Sequence, residues 1–353
     1  MRIKLALLLL ILCNLLLAQR GGDNAFEFVN LPHSARYAAL GGQQISVQDN
    51  DIAQVYLNPA MLSPVMDNQF SVNYIHYLKD IGVNYGYVAY GKNLDDKANL
   101  AIGLKYVNYG KFDYADATGY RSGATFNASD YLLHVSYSYA FIENRLTAGM
   151  SLKPLFSDYE SYNSFGLATD LGLNYWSKSG LVSTSLVFKN VGYQLKTFES
   201  SQDRESLPFE IQMGVSTRLA HAPFRISVLA RHLEKWNLTY QTEQEKKDAI
   251  DPITGEEKKK SILDEYGDNI LRHLSFGLEI LPSDKFQIQI GYNHKRRKEL
   301  KVSNGGGTTG FSIGASLHLK KVSVSYARMT YHAAGASDFI TLRFNIDELG
   351  KNF

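Results

Sequence analysis

In Leu274-Ser275-Phe276-Gly277-Leu278-Glu279-Ile280 every even position is apolar and every odd one is small or charged. Side chains alternate between the two faces of a strand, so this segment has one apolar and one polar face, a pattern that a 3.6-residue helical period would scatter. The next segments repeat it. Phe286, Ile288, Ile290 and Tyr292 alternate with Gln287, Gln289, Gly291 and Asn293. Phe311, Ile313, Ala315, Leu317 and Leu319 alternate with Ser312, Gly314, Ser316 and His318, and Ile340, Leu342, Phe344 and Ile346 with Thr341, Arg343 and Asn345.

Working outward, such segments recur from Gln69 to about Ile346, and they predict fourteen strands. These fall near 69–78, 81–91, 98–110, 130–142, 145–156, 163–176, 179–190, 207–219, 223–233, 270–281, 284–296, 308–319, 321–332 and 337–346. Most exceed the five or six residues usual in globular strands. At about 3.3 Å per residue and a tilt near 40°, each spans roughly 25–30 Å, the thickness of a bilayer's hydrocarbon core. The connections after strands 4, 6, 8, 10 and 12 are tight, and those at about 111–129, 191–206, 234–269 and 297–307 are long. Lys79-Asp80 breaks that alternation by being short. Sorting of loops by length is the habit of outer-membrane barrels, with short periplasmic turns and long outer loops. The expected fold class is therefore all-β, a transmembrane antiparallel barrel of about fourteen strands, its even strand number setting both termini on the periplasmic side. Its inward face would carry Lys105, His134, Glu279, Gln287, Gln289, His318 and Arg343, which need water or polar partners.

Four regions follow: an export signal over 1–18, an N-terminal plug region over 19–68, the barrel over 69–346 and a tail over 347–353. In the signal, Arg2 and Lys4 precede an apolar run from Leu5, and Ala18 offers a small residue for cleavage before Gln19. Cys13, the only cysteine, lies within it; lipidation there would want a smaller residue than Leu12. The mature chain then has no disulfide, and losing Arg2 and Lys4 takes its formal charge from +2 to 0, which argues against nucleic acid as a partner. No second apolar run is long enough for a membrane helix. Tyr, at 23 residues, outnumbers Phe and suits a membrane–water boundary. The plug region would fill the lumen or, alternatively, cap the periplasmic mouth.

Nothing points to catalysis or to a cofactor. The nine histidines are scattered without a zinc-protease spacing, thiolate metal sites are excluded, and no Gly-x-Ser-x-Gly elbow occurs. Gly305-Gly306-Gly307-Thr308-Thr309-Gly310 lacks the lysine of a phosphate loop and sits between strands. The mixed-charge cluster from Glu243 to Lys260 is a solvated loop or a docking surface. Arg296, Arg297 and Lys298 start another outer loop and are candidates for partner binding, for instance to lipopolysaccharide phosphates. Gly41-Gly42 permits a tight turn, and Pro59 fixes its own φ and pushes Asn58 to an extended shape. Arg36 is expected to meet a carboxylate on the inner wall.

Phe28-Val29-Asn30-Leu31-Pro32-His33-Ser34-Ala35-Arg36, then Ala38-Ala39-Leu40-Gly41-Gly42, and after Asp49-Asn50-Asp51 the box Tyr56-Leu57-Asn58-Pro59-Ala60-Met61-Leu62, resemble the plug of FadL-like outer-membrane transporters. Within that superfamily the opening is most similar to the PorQ-like barrels of the type IX secretion system of the Bacteroidetes. Lys189-Asn190-Val191-Gly192-Tyr193 is similar to a Lys-Asn-x-Gly element of PorV-like and PorQ-like barrels. These motifs span about 35 residues, whereas the strand pattern spans nearly the whole chain. The resemblance implies a non-catalytic barrel of a cell-surface attachment complex. Its partners would be a PorZ-like surface protein, PorU- and PorV-like proteins, and outer-membrane lipid with lipopolysaccharide. Arg36, Gly41, Gly42, Asn58, Pro59 and Ala60 would shape the plug. The alternative is a FadL-type transporter of hydrophobic molecules.

Overall fold

The computed structural model describes residues 24–349 apart from 48, 79–81, 117, 144, 200–202, 240–261, 301–306 and 333–334. The expected export signal, Cys13, the charged cluster at 243–260 and the last residues of the tail lie outside the described residues.

The fourteen strands are β1 (Gln69–Tyr77), β2 (Val83–Asn93), β3 (Ala98–Ala115), β4 (Arg121–Ile142), β5 (Leu146–Tyr159), β6 (Tyr162–Trp176), β7 (Val182–Lys196), β8 (Glu210–Arg218), β9 (Phe224–Ala230), β10 (Leu274–Ser283), β11 (Phe286–Asn293), β12 (Phe311–His318), β13 (Val322–His332) and β14 (Gly335–Asn345). Each pairs antiparallel with its neighbour, and β1 pairs with β14, with Phe70 opposite Phe344 and Val72 opposite Leu342, so the sheet closes into a barrel. Closure pairs backbone groups that an open edge would leave bare in hydrocarbon. The alternation read from sequence sets which face is which: in β10, Ser275, Gly277 and Glu279 are buried inside while Leu274, Phe276, Leu278 and Ile280 face out. Leu171, Leu173 and Tyr175 of β6 and Leu133, Val135 and Tyr137 of β4 continue the apolar outer belt.

Two expected loops are strand. Residues 111–129 were expected as a connection, yet β3 runs to Ala115 and β4 starts at Arg121; likewise β7 continues to Lys196. The reason is local: Lys111, Phe112 and Asp113 pair with Asn127, Phe126 and Thr125, and the Phe112 and Phe126 rings stack at 5.4 Å. Beyond the membrane both faces are solvated, so the burial contrast that marks a strand fades while pairing persists. A one-residue excess on β3, between Asn108 and Lys111, also shifts the register and breaks the period.

The described residues from Asn24 to Leu62 lie within the wall, and Ser63–Asn68 close its rim. They form 3₁₀ turns at Glu27–Asn30, Ile52–Tyr56, Pro59–Met61 and Pro64–Met66 and a short helix, α1 (Ala35–Ala39). Tyr37, Ala38, Leu40, Ile45, Ile52, Ala53 and Val55 are fully buried, so the apolar core sits within this segment and the wall turns a mostly polar surface to it. Gln69 and Asn345, the barrel's two ends, share one rim. Asn24, by contrast, bridges Ser206 in the connection after β7, on the other rim. The even strand count thus brings the strand ends together without bringing the first described residue to them, because the plug threads the lumen lengthwise. Three further helices are α2 (Ile262–His273), α3 (His294–Leu300) and α4 (Ile346–Leu349).

Candidate functional site: the plugged lumen and its mouth

Arg36 projects from α1 to the wall. Its Nε and Nη2 donate to Glu279 Oε1 at 3.1 and 2.6 Å, and its Nη1 pairs with Asp49 of the plug. Glu279 also accepts from Arg225 Nη1 at 2.9 Å. One buried carboxylate therefore serves two guanidiniums, one from the plug and one from the wall. Burial makes such a unit costly to break.

A second set lies on β5, β6 and β7. Lys153 pairs with Asp170, and Asp170 Oδ1 also accepts the Asn190 N–H at 2.8 Å. Asn190 is left-handed (φ 56°) at a register shift, and its Nδ2 donates to Pro208 O at 2.9 Å. This is the physical content of the Lys-Asn-x-Gly element. Lys189, beside it, reaches Gln43 Oε1 of the plug at 3.5 Å. Among the described residues Lys105 of β3 pairs with no carboxylate; it donates to the carbonyls of Phe28 and Leu31 at 3.0 and 2.7 Å, with its ammonium 5.0 Å from the Tyr56 ring centre. Sequence reading does not single out Lys153, Asp170 or Arg225, and it names Lys189 only within its motif. Each stands at an inward position of its strand, so the period-2 pattern could have marked them, but pairing across strands is invisible in one sequence.

The remaining plug motifs are placed as follows. Gly41 and Gly42 have φ of 93° and 107°, a region that favours glycine, and reverse the chain beneath the mouth. Gly41 N–H donates to Ser312 Oγ at 3.1 Å, and Gly42 N–H to Tyr37 O at 2.9 Å. Asn58 accepts the Ala60 N–H at 3.0 Å and donates to Ile45 O at 2.9 Å, while Pro59 starts the turn that Asn58 caps.

The basic triplet does not form a free cationic patch. Arg296 lies 4.7 Å over the Tyr331 ring and comes down on Gly42. Arg297 donates to the carbonyls of Gly307 and Thr309 at 3.2 and 3.3 Å, and Lys298 pairs with Asp268 at 3.0 Å. The helix α3 turns these side chains in different directions, which spacing in sequence did not reveal. Arg296 and Tyr331, with Tyr77 and Tyr85, roof the plug.

Asp268 ties α2 to α3, accepting from Arg272 at 2.8 Å, His294 at 2.9 Å and Lys298 at 3.0 Å. Burial raises its pKa, but the hydrogen bonds from His294, Arg272 and Lys298 outweigh that and hold it well below the usual carboxylate range. A carboxylate depressed in the folded state stabilises above its unfolded pKa of about 4, and that contribution is lost as pH falls through the folded value. Trp236 packs against Tyr266 of α2, with ring centres 6.5 Å apart. In a Trp176→Phe background its fluorescence should show an acid step below pH 4. Asp268→Asn should shift the neutral signal and flatten the acid step; an unchanged acid step in Asp268→Asn would exclude Asp268 as its source.

No family model matches the chain, and no curated protein does. Solved structures do. The toluene transporter TbuX of Ralstonia pickettii aligns over 90% of this chain and 99% of its own, at 12% identity and a TM-score of 0.52. A deletion mutant of TodX, a monoaromatic hydrocarbon channel, aligns over 89% of this chain and 99% of its own, at 12% identity and a TM-score of 0.53. The fold is that of an outer-membrane barrel. At this identity the likeness is one of fold, and the chemistry of the lumen has to be argued from this chain's own residues.

Proposed function

We propose that this chain is a non-catalytic barrel of the bacterial outer membrane, its short-connection rim in the periplasm, that anchors surface partners. By the plug motifs these partners belong to the type IX attachment complex: a PorZ-like surface protein together with PorU- and PorV-like proteins. One observation carries the docking role. Beyond the register shift at Asn108–Lys111 the polarity of the β3–β4 hairpin inverts. In the barrel the inward positions are mostly polar and the outward ones apolar; above it Phe112, Tyr114 and Phe126 stand at inward positions while Lys111, Asp113, Thr125 and Asn127 face outward. Phe112 is 42% and Tyr114 38% exposed. An aromatic face turned from the lipid toward the space over the mouth suits a protein surface. Among the described residues the β2–β3 ladder reaches only to Asn108 and the β4–β5 ladder starts only at Ala128, so the hairpin stands above the rest of the wall.

The test is affinity purification from native outer membranes with the full chain and with Phe112→Ser/Tyr114→Ser/Phe126→Ser. The full chain should recover a secretion complex with a surface protein. The triple variant should lose the surface protein while keeping the heat-modifiable gel mobility of a folded barrel. Recovery of the full chain alone would count against the scaffold.

The fold of TbuX and TodX favours a second reading, a transporter of hydrophobic molecules. It needs an apolar route past the plug. Against it stand the filled lumen, its buried ion pairs, and polar cavities at the rims. One of about 320 Å³ is lined mainly by Asp49, Asn50, Arg218, Arg225, His318 and Arg343. Uptake of toluene or fatty acid into vesicles that depends on residues 24–68 would favour the transporter.

A further inference from the structure

At the long-connection rim, the ends of β6 and β7 and the connection after β7 line a cavity of about 440 Å³ with Ser161, Asn163, Leu195, Lys196, Thr197, Phe198 and Arg204. Two register facts aim it at the membrane surface. Phe165, which faces out and is 37% exposed, pairs with Lys196, while Gly166 pairs with Gln194, so Leu195 is the extra residue of a bulge. A bulge sets its two residues on one side of the sheet, and both Leu195 and Lys196 are exposed on the outer face. Asn163, two residues before Phe165, shares that face, and Lys196 Nζ donates to Asn163 Oδ1. Below the cavity lie Phe165, Leu167 and Tyr193, the last 76% exposed, which belong to the apolar belt and its aromatic edge. Phe198 stacks on Tyr159 with ring centres 5.2 Å apart, and Tyr159 donates to buried Asp130, so this wall of the cavity is held from the lumen side of the rim.

The lining holds two cations, three neutral hydrogen-bonding side chains and no carboxylate. Asp158, opposite Asn163 in the β5–β6 pair, is outside it. Among the described residues neither Lys196 nor Arg204 has a carboxylate partner. This differs from the basic residues of α3, which are engaged within the chain. Positive charge with hydroxyl and amide donors matches a phosphate, and placement directly above lipid-facing side chains adds contacts for acyl chains.

We propose that this cavity binds the phosphorylated headgroup of an amphiphile of the outer leaflet. The inference needs the long-connection rim to face that leaflet, but it is independent of protein docking by the β3–β4 hairpin.

The test is native mass spectrometry of the full chain in detergent, titrated with bisphosphorylated lipid A, with its dephosphorylated form, and with inorganic phosphate. Lys196→Gln/Arg204→Gln should bind lipid A about tenfold more weakly than the unmodified chain. Arg328→Gln, an exposed basic control, should bind normally. The dephosphorylated lipid should bind weakly and equally to all three, and millimolar phosphate should not displace lipid A. Equal lipid A binding by the double variant, with its heat-modifiable mobility intact, would overturn the proposal. So would displacement by phosphate, which would mark a free-anion site. Loss of partner capture by the hairpin variant with lipid A binding retained separates this site from the docking role.

Discussion

Glu279→Gln should unseat the plug and turn a barrel closed at mid-height into one that passes ions. Glu279 is 1% exposed and accepts three hydrogen bonds from two guanidiniums. An amide of the same size keeps one acceptor oxygen, brings an N–H₂ against two cations, and removes the charge that held them together. Arg36 keeps Asp49, but Arg225 keeps no carboxylate in the described ion pairs. Breaking a buried pair from one side typically costs about 3–5 kcal/mol. That is a large share of the 5–15 kcal/mol typical of a whole domain. The wall is held by its own backbone ladder, so the loss falls on the plug's seat and appears as local opening. In planar bilayers the unmodified protein should be nearly silent and Glu279→Gln should show frequent open events. Amides of 35–40 should exchange faster in the variant. A variant as silent as its parent would mean that the Arg36–Glu279 contact does not hold the plug.

The barrel was legible because lipid imposes a strict rule on it. Leu278 and Ile280 must face oil while Glu279 between them cannot, and that alternation survives in the bare sequence. Where the oil ends, so does the signal: Phe112 and Tyr114 belong to a strand that was expected as loop, since water bathes both its faces. The two ends of β3 are thus read with different success for one physical reason.

The site was legible residue by residue only where a motif fixed local backbone. Asn58-Pro59 announces a capped turn, and Gly41-Gly42 a reversal, without knowledge of neighbours. Arg36 announces a charge that must be met, though not by which carboxylate. Arg296 misled for the complementary reason. Beside Arg297 and Lys298 it resembles a surface cluster, whereas the turn of α3 sends it inward onto Tyr331. Charge in sequence says that a partner is needed; only the fold says whether the chain already supplies it.

Gly172→Leu should expel the Asn58-Pro59-Ala60 box from its seat and expose the plug to protease. A Cβ on Gly172 would sit 2.2 Å from Asn58 Oδ1 and 3.2 Å from Ala60 N; one on Gly149, across the β5–β6 pair, would sit 2.4 Å from the Pro59 carbonyl carbon. The closest contact at Gly172 is the Asn58 side chain, which its bonds to Ala60 N–H and Ile45 O hold in place, so relieving the clash means giving up those bonds. Overpacking typically costs about 1–3 kcal/mol. Here displacement also removes the Asn58 bonds to Ala60 N–H and Ile45 O, each contributing about 0.5–1.5 kcal/mol. The wall at β5–β6 is laddered on both sides and should hold, leaving the plug to move. Arg36, 3% exposed, is then the reporter: trypsin should cleave after it in Gly172→Leu and spare it in the unmodified protein. Gly172→Ala should give the same cleavage more slowly. Gly267→Ala, where an added Cβ meets nothing within 4 Å, should leave Arg36 protected. If Arg36 stays uncut in Gly172→Leu while the barrel retains its heat-modifiable mobility, the close approach of the box to the wall is not what seats the plug.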